Sequence, residues 1–580
     1  MKKSGFCEAR FHSMLVASTL TLAISYFMLL CDNILAGIFF GTNGVAAINA
    51  VTPITGFVSF FSEIISIGTG ILYSREIGAM RKRRADEFFG QGLVLSAGIA
   101  VIVPILLGVS RELYFRENNI TGEIYVLASA FYRWTPLYAA VSIMNSYLTK
   151  LVYVDGDERI TNLTYAAQIV VNLLFSILLA RRFGMVGIIM GTIIGNVVGM
   201  LVLSRHFFKK SNTLHFVWHF SFADLAQVVR YSIVDAILFL CWGVMDYIMI
   251  DHVSARYGQT GAVTLAVIIG LLEFDVVLDG VGMAVQPLIE TYLEEKNQKL
   301  VRRLMRIATK TAIIEGIIVT ALIFAFPKPF CFIFDVKRGA VLDTTVRALR
   351  IVSTGMVFCS LLSLITAYYI VVDRVALSAG IIVLKDGLLY SLLPVAASVL
   401  LGEDAMWAAF AVAPLLALIM SCLFIRLRYG AEKFPYLLDN ADTKIIVLDD
   451  TLTQDSCARL SQRVQAAMQE CGYSTDESNR AALFTEEMGL TILEHNRGRK
   501  KAILIEISLL FEERSMLLIE RDTGGIFDLS DPDQAVYGLS SFMLSGLMVF
   551  HKERAYLTTM GYNRNMMRFS RLCTPEETRS

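Results

Sequence analysis

The chain has 580 residues, of which 55% are hydrophobic and only 18% charged, with a formal net charge of zero. Soluble domains carry about 25% charged residues, so this composition excludes an ordinary soluble protein, and the balanced charge gives no reason to expect a nucleic-acid partner. Nine scattered cysteines without a CxxC pair read as small apolar residues, not as disulfides or metal ligands.

The N-terminal MKKSGFCEARFH precedes an apolar run. Because polytopic sequence follows and no small-residue cleavage site is evident, it reads as a retained first span and not a signal peptide. From Phe11 to Cys31 there is no charged residue; then come Asp32 and a second apolar stretch to Phe61. Further uncharged runs of membrane length lie at Phe88–Ser110, Ile160–Ala180, Phe183–Ser204, Ile351–Val372 and Ala405–Ile425. Segmentation gives about twelve spans ending near Ile425. Basic clusters at Lys2/Lys3/Arg10, Arg81–Arg84, Arg205–Lys210, Lys299–Arg306 and Arg426–Lys433 fall in alternate connections. By the positive-inside rule both termini are then cytoplasmic, with Arg181/Arg182 and Lys328–Arg338 as exceptions. The fold class is a mainly α membrane protein, with a C-terminal bundle at 216–430 after an N-terminal bundle at 1–215.

One offset of 214 residues aligns Asp32 with Asp246, Gly44 with Gly258, Gly68 with Gly282 and Glu76 with Glu290. This supports two six-helix halves in which Asp32 and Asp246 are equivalent acids. A midspan carboxylate costs about 2.5–3.5 kcal/mol on insertion scales, so Asp32 reads either as a cavity-facing cation or proton site or as the acid that ends span 1 at the water interface. Asp275 and Asp279, four apart, would share a helix face, either receiving a cationic ligand or facing solvent. Lys385 and Asp386 are adjacent, about 100° apart on a helix, so they would not pair well with each other, and each needs a partner elsewhere, most simply across the cavity; a structural ion pair is one reading. Arg133 in span 4 is of the same kind. Aromatic residues (11%) and 23 methionines offer adaptable apolar walls.

The stretches DNILAGIFFGTNGVAAINAVTP (32–53), GTGILYSREIGAMRKRRADEFF (68–89) and VVNLLFSILLARRFGMVGIIMGTIIGN (170–196) resemble the multidrug and toxic compound extrusion (MATE) family. The resemblance covers about residues 10–430. It implies two six-helix bundles around a central cavity, alternating access, and efflux of small organic compounds driven by protons or sodium. It places Asp32 in the first lobe's cation site, with Asn172 and Asn196 in the matching motifs. Ser176 stands where the family commonly has an acid, leaving Asp32 without its expected partner and the coupling ion undecided.

After a linker at 431–444, residues 445–580 read as an α+β unit: strand, two helices, two strands, and a closing strand pair. FTEEMGLTILEHN (484–496) and IERDTGGIFD (519–528) resemble the histidine-kinase-like ATPase fold, especially its anti-sigma-factor serine-kinase branch. The resemblance assigns Glu487 and His495 to the nucleotide helix, and Asp522, Gly524, Phe527 and Asp528 to the adenine turn. It assigns Gly561 and Asn563 to the closing strands. Thr491 replaces the magnesium-binding Asn, and the phosphate lid shrinks to Leu544–Leu547 around Gly546. Catalysis loses its electrostatic support; ATP or ADP as a regulatory ligand, or a cytoplasmic protein partner, is what remains. The expectation is a plasma-membrane antiporter with a regulatory tail and no enzymatic activity. The alternatives are a flippase for lipid-linked precursors and a transporter-like receptor signalling through the tail.

Overall fold

A computed structural model describes residues 5–117, 122–210, 212–333, 336, 339–438, 444–499, 501–512, 515–526, 554–559 and 562–570. Among these residues, seven helices are by themselves long and apolar enough to cross a membrane, and the bent pair Ala340–Ser353 and Met356–Val371 makes an eighth. The other passages are broken ones. Helix Phe6–Gly78 turns back on itself at Gly41 (φ 63°, ψ −154°), and Phe222–Glu273 does so at Gly258 (φ 60°, ψ −150°). Divided at these breaks, the chain makes twelve passages: 6–40, 42–78, Lys82–Glu117, 122–154, Glu158–Phe183 and Met185–Leu203, then 222–257, 259–294, Gln298–Ala325, 340–371, 375–401 and Glu403–Tyr429. They are spans 1 to 12 below.

The break at Gly41 needs a backbone that only glycine adopts at little cost. Positive-φ glycines recur at corresponding turns: Gly41 and Gly258, Gly122 and Gly339, Gly184 and Gly402, separated by 217, 217 and 218 residues. At these turns the spacing is 217 or 218 residues, three or four more than the 214 of the side-chain matches. Asp32 lies nine residues before its break and Asp246 twelve before its own, so the second half carries three more residues between the acid and the turn. Glu76 and Glu290 differ too: Glu76 pairs with Arg81 (2.6 Å), whereas Glu290 is buried.

The halves share one core at the end nearest the tail. Phe6, Phe11, Ile71, Tyr73 and Tyr147 of the first half pack there with Tyr231, Val281, Leu288, Tyr292 and Tyr368 of the second. At the far end each half has its own core: Leu35, Val51, Phe131 and Ile188 in the first, Met249, Leu271, Trp407 and Phe410 in the second. The membrane part is therefore a V, joined on the tail side. Span 3 leaves Val101, Ile102, Ile105, Leu106 and Val109 exposed, a stripe that acyl chains cover and water does not.

The closure on the tail side is reciprocal. Gly68 of span 2 donates its N–H to Ser232 Oγ of span 7 (3.0 Å), and Ser18 of span 1 donates to the Gly280 carbonyl of span 8 (2.7 Å). Glycine permits both crossings: a Cβ on Gly68 would lie 2.2 Å from the Val228 carbonyl oxygen, and one on Gly280 would lie 2.5 Å from Thr19 Oγ1. Deeper in, Tyr26 donates to the Gly270 carbonyl (2.8 Å) and meets Phe274 edge-on.

The tail is a five-stranded antiparallel sheet with two helices on one face. Its strands are β1 (Lys444–Thr451), β2 (Leu504–Phe511), β3 (Ser515–Asp522), β4 (Arg554–Thr559) and β5 (Tyr562–Ser570), in the order β1-β2-β3-β5-β4. The helices Gln454–Glu470 and Thr475–His495 each begin with a capping box, at Thr453/Ser456 and Ser474/Glu477. Ile505, Ile507, Leu509, Leu518 and Met567 face the helices and form a core with Leu460, Val464, Phe484 and Met488. The linker's first part is seated on the membrane part: Tyr368 and Tyr369 donate to the Tyr436 and Pro435 carbonyls (2.8 Å each).

Candidate functional site

Asp32 lies about 13 Å of helix below the Gly41 turn, which places it within the span and not at its end. Its Oδ2 accepts from Thr192 Oγ1 of span 6 (3.2 Å), and its Oδ1 is buried without a hydrogen-bond partner. The Thr192 hydroxyl has one proton and three acceptors in reach: Asp32, Asn172 Oδ1 (3.5 Å) and the Ile188 carbonyl (3.4 Å). Asn172 in turn accepts from Ser176 Oγ (2.8 Å). Asp32, Thr192, Asn172 and Ser176 thus form one polar chain across spans 1, 6 and 5.

Spans 5 and 6 can form it because glycine recurs every fourth residue on span 6. Cβ atoms on Gly187, Gly191, Gly195 and Gly199 would collide with Leu179/Ala180, Ser176, Gln168 and again Gln168. At Gly191 the distance to Ser176 Oγ would be 2.1 Å. Ser176 is fully buried in this contact, so a bulkier acid at 176 has no room in this packing. Asn196 belongs to a separate chain, in which Gln168 donates to Asn145 (3.0 Å) and Asn145 to Asn196 (3.3 Å).

The second half holds a larger acidic group. Lys385 Nζ lies 3.1 Å from Asp275 Oδ2 and 3.3 Å from Asp386 Oδ1. The contact with Asp386 is one of charge only, because neither Asp386 oxygen has a hydrogen-bond partner. Lys385 therefore does reach its neighbour, and its other partner is in the same half. The segment Val383–Leu389 is π-helical, an expansion frequent at functional positions. Asp275 and Asp279 do not share a face: Phe274–Asp279 is a 3₁₀ helix, where positions four apart diverge by about 120°. Asp279 instead accepts from Ser363 of span 10. Arg133 is exposed at the break between Gly122–Tyr132 and Thr135–Val154 and needs no buried partner.

Asp246 keeps a buried Oδ1 without a hydrogen bond and lies within electrostatic reach of Glu273. Sequence reasoning passed over Thr192, Glu63, Glu273 and Glu315. Glu63 and Glu315 carried the same signal as Asp32, a single carboxylate in an apolar run, and Glu273 stood two residues from Asp275; Thr192 carried no such signal. It also passed over Arg75, which crosses between the halves on the tail side. Arg75 donates to Tyr231 (2.6 Å), Asp373 (3.2 Å) and the Val371 carbonyl (3.1 Å).

In the tail, Thr491 donates to the Glu487 carbonyl one turn back (2.7 Å), and Glu487 Oε2 is buried without a hydrogen bond. His495 is exposed at the helix end. The Asp522 carboxylate is occupied by the chain itself: the Gly524 N–H (2.6 Å) and Asn563 Nδ2 (3.2 Å to each oxygen) donate to it. Asn496, which the motif reading did not single out, ties the helix to this turn by accepting from the Gly525 N–H (2.7 Å). Burial pushes the Asp522 carboxyl up to about 6, against the pull of the Gly524 amide and Asn563. Phe527, Asp528, Leu544–Leu547 with Gly546, and Gly561 lie outside the described residues.

The MatE family model matches the chain twice, over residues 17–178 and 232–393, once in each half. No curated protein matches. Among solved structures, one described as a MATE protein in complex with MaL6 is 18% identical, with a TM-score of 0.68 over 73% of this chain and 97% of that one. A mutant of the Vibrio cholerae MATE transporter VcmN is 15% identical, with a TM-score of 0.68 over 74% and 99%. A MOP superfamily transporter from Pyrococcus furiosus Vc1, whose description states that reverse polarity of its binding pocket suggests a different function, is 18% identical, with a TM-score of 0.66 over 73% and 96%. These likenesses show the fold. The paired match, spanning more than half of the residues, shows that this multi-pass membrane protein belongs to the MatE family.

Proposed function

We propose that the protein is a cation-coupled antiporter that exports small organic compounds by alternating opening of its V, with Asp32 as the coupling group. The observation that carries this is the Asp32 geometry: a carboxylate deep in a span, one oxygen held by Thr192 and the other buried and unbonded. A buried carboxylate is stable only when a charge or a proton offsets it. Thr192, Asn172 and Ser176 supply neutral hydroxyl and amide oxygens, a thin shell for sodium, which favours the proton as the coupling ion. Asp246, Asp275, Asp279 and Asp386 give the second half an acidic lining suited to organic cations. That same excess of acid over Lys385 argues against a pyrophosphate-lipid flippase, which calls for a basic cavity. The orientation proposed has both termini in the cytoplasm.

The tail is the regulatory part. Read as a worn histidine-kinase-like ATPase domain, it at most binds ATP or ADP without magnesium, because Thr491 offers one hydroxyl, donated to the Glu487 carbonyl, where that fold has a magnesium-binding Asn. Proteoliposomes with an imposed proton or sodium gradient test the reading: organic-cation flux should follow the proton gradient and be lost in Asp32→Asn. Flux that follows sodium alone, or persists in Asp32→Asn, overturns it.

A further inference from the structure

The tail's sheet has two buried faces. One packs on its own helices. The other carries Asp449, Glu506, Ser508, Arg521, Tyr562 and Arg564, and meets the membrane part. The strand register puts Glu506 beside Arg521 and Arg521 beside Arg564. All three side chains are fully buried, and so is Glu295 at the tail-side end of span 8. Arg521 pairs with Glu295 and with Glu506 (2.9 Å) and lies over the Tyr292 ring. Two arginines and two glutamates therefore balance in one dry cluster. Around it, Asn297 donates to Ser508 (3.0 Å) and Arg303 pairs with Asp449 (2.8 Å).

Those contacts reach only the second half. Arg564 is different. Its Nε lies 2.9 Å from Glu295 Oε1 in the second half, while its Nη1 and Nη2 donate to the Ile77 (3.1 Å) and Gly78 (2.6 Å) carbonyls in the first. Those carbonyls end span 2, at the negative end of its dipole; the Ile77 carbonyl also accepts from the Met80 N–H (3.0 Å), while the Gly78 carbonyl takes Arg564. Beside it, Tyr562 meets Phe6 of span 1 edge-on at 5.3 Å. Gly78 itself sits against span 8, where an added Cβ would come within 3.0 Å of Thr291 Cα. One side chain of the tail thus grips both sides of the seam along which the V is closed.

We propose that the tail is a built-in latch on the tail-side gate: β5, through Arg564, ties the end of span 2 to the end of span 8, and the gate opens only when this strand releases one of them. That the halves part at this seam rests on the transporter reading; the latch itself does not require that anything be transported. Parting the seam with the tail in place would strand either the Gly78 carbonyl or Glu295, so the docked sheet holds the tail side shut. When the first-half grip is lost, the tail stays on the second half through Glu295–Arg521, Asn297–Ser508 and Arg303–Asp449.

The test uses the full chain with its native cysteines replaced and spin labels at Arg83 and Arg306, exposed positions in the first and second halves. In Arg564→Ala the pulsed-EPR distance distribution across the seam should gain a longer component, its population rising several-fold. A label pair at Arg459 of the tail and Arg306 should keep its distance. Arg521→Ala, which removes the pair within the tail and contacts to the second half but none of the described hydrogen bonds to the first, should widen the Arg83–Arg306 distribution less. If Arg564→Ala does not yield a monodisperse protein, Arg564→Lys, which keeps the Glu295 charge pair but cannot fork to two carbonyls, takes its place with the same expectation. An Arg83–Arg306 distribution unchanged in the folded variant overturns the latch. A widened seam in a protein that moves no organic cation in vesicles leaves the latch standing and removes the transporter reading instead.

Discussion

Gly68→Ala should pry the V open on its tail side. The added Cβ would lie 2.2 Å from the Val228 carbonyl oxygen, 2.7 Å from Ser232 Oγ and 2.9 Å from the Val228 carbonyl carbon. Ordinary contact begins at 3.4 Å, and two of the three neighbours are backbone, so spans 2 and 7 must part by about 1.2 Å at this crossing. Overpacking of this kind costs roughly 1–3 kcal/mol. The cost falls on the tail-side-closed state, because the crossing between halves is what an opened state gives up. At about 1.4 kcal/mol per factor of ten, the closed-to-open ratio should fall roughly 5- to 150-fold. The Arg83–Arg306 label pair reads this directly. Gly280→Ala, with its Cβ 2.5 Å from Thr19 Oγ1 and 3.0 Å from Thr19 Cα, is the reciprocal wedge and should act the same way. Gly98→Ala, with nothing within 4 Å, is the control. If Gly68→Ala reproduces the control's distances and melting curve, the crossing does not close the gate.

Lys385→Met should leave Asp275 and Asp386 as uncompensated buried charges at a cost of about 3–5 kcal/mol, seen as a lower melting temperature; adding Asp275→Asn should recover part of the loss. Thr192→Val removes the single hydroxyl that holds Asp32, and gradient-driven flux should fall while expression is unchanged. Because burial raises the folded-state Asp522 carboxyl to about 6, above its ordinary value near 3.9, this group disfavours the folded tail above about pH 6, an effect that disappears as pH falls toward 4. The denaturant midpoint of the tail, followed by a fluorophore on Cys471 in the full chain, should therefore rise between about pH 7.5 and pH 5, and Asp522→Asn should flatten that rise. Isothermal calorimetry should find any ATP binding by the tail indifferent to magnesium, and Thr491→Asn should restore a magnesium dependence if that position is the only defect.

What the sequence disclosed and what it hid divide along a physical line. The tail strands KIIVLDDT, LIEISLLF and SMLLIERD and the capped helices between them are local patterns, and they appear where the chain places them. The spans were legible by apolar length even where a kink breaks them. The 214-residue offset matches Ser18 with Ser232 at the crossing of the halves, whereas the turn glycines Gly41 and Gly258 stand 217 apart, pinned by a backbone conformation that sequence identity does not reveal. Thr192 stands 160 residues from Asp32 and carries no charge to mark it. The latch was the least visible. In LIEISLLF and SMLLIERD, Glu506 and Arg521 look like polar residues of a solvated face, and β5 adds Arg564 to the same face. Yet a solvated face does not need two glutamates and two arginines in a balanced set at zero exposure. Burying such a set costs free energy that hydrophobic residues of the same volume would not, so its place between tail and seam is not explained by stability. Charges that can be offset in two ways, by the partner across the seam or by water after release, give an interface that can be undone, and an apolar one would hold the V shut without that choice.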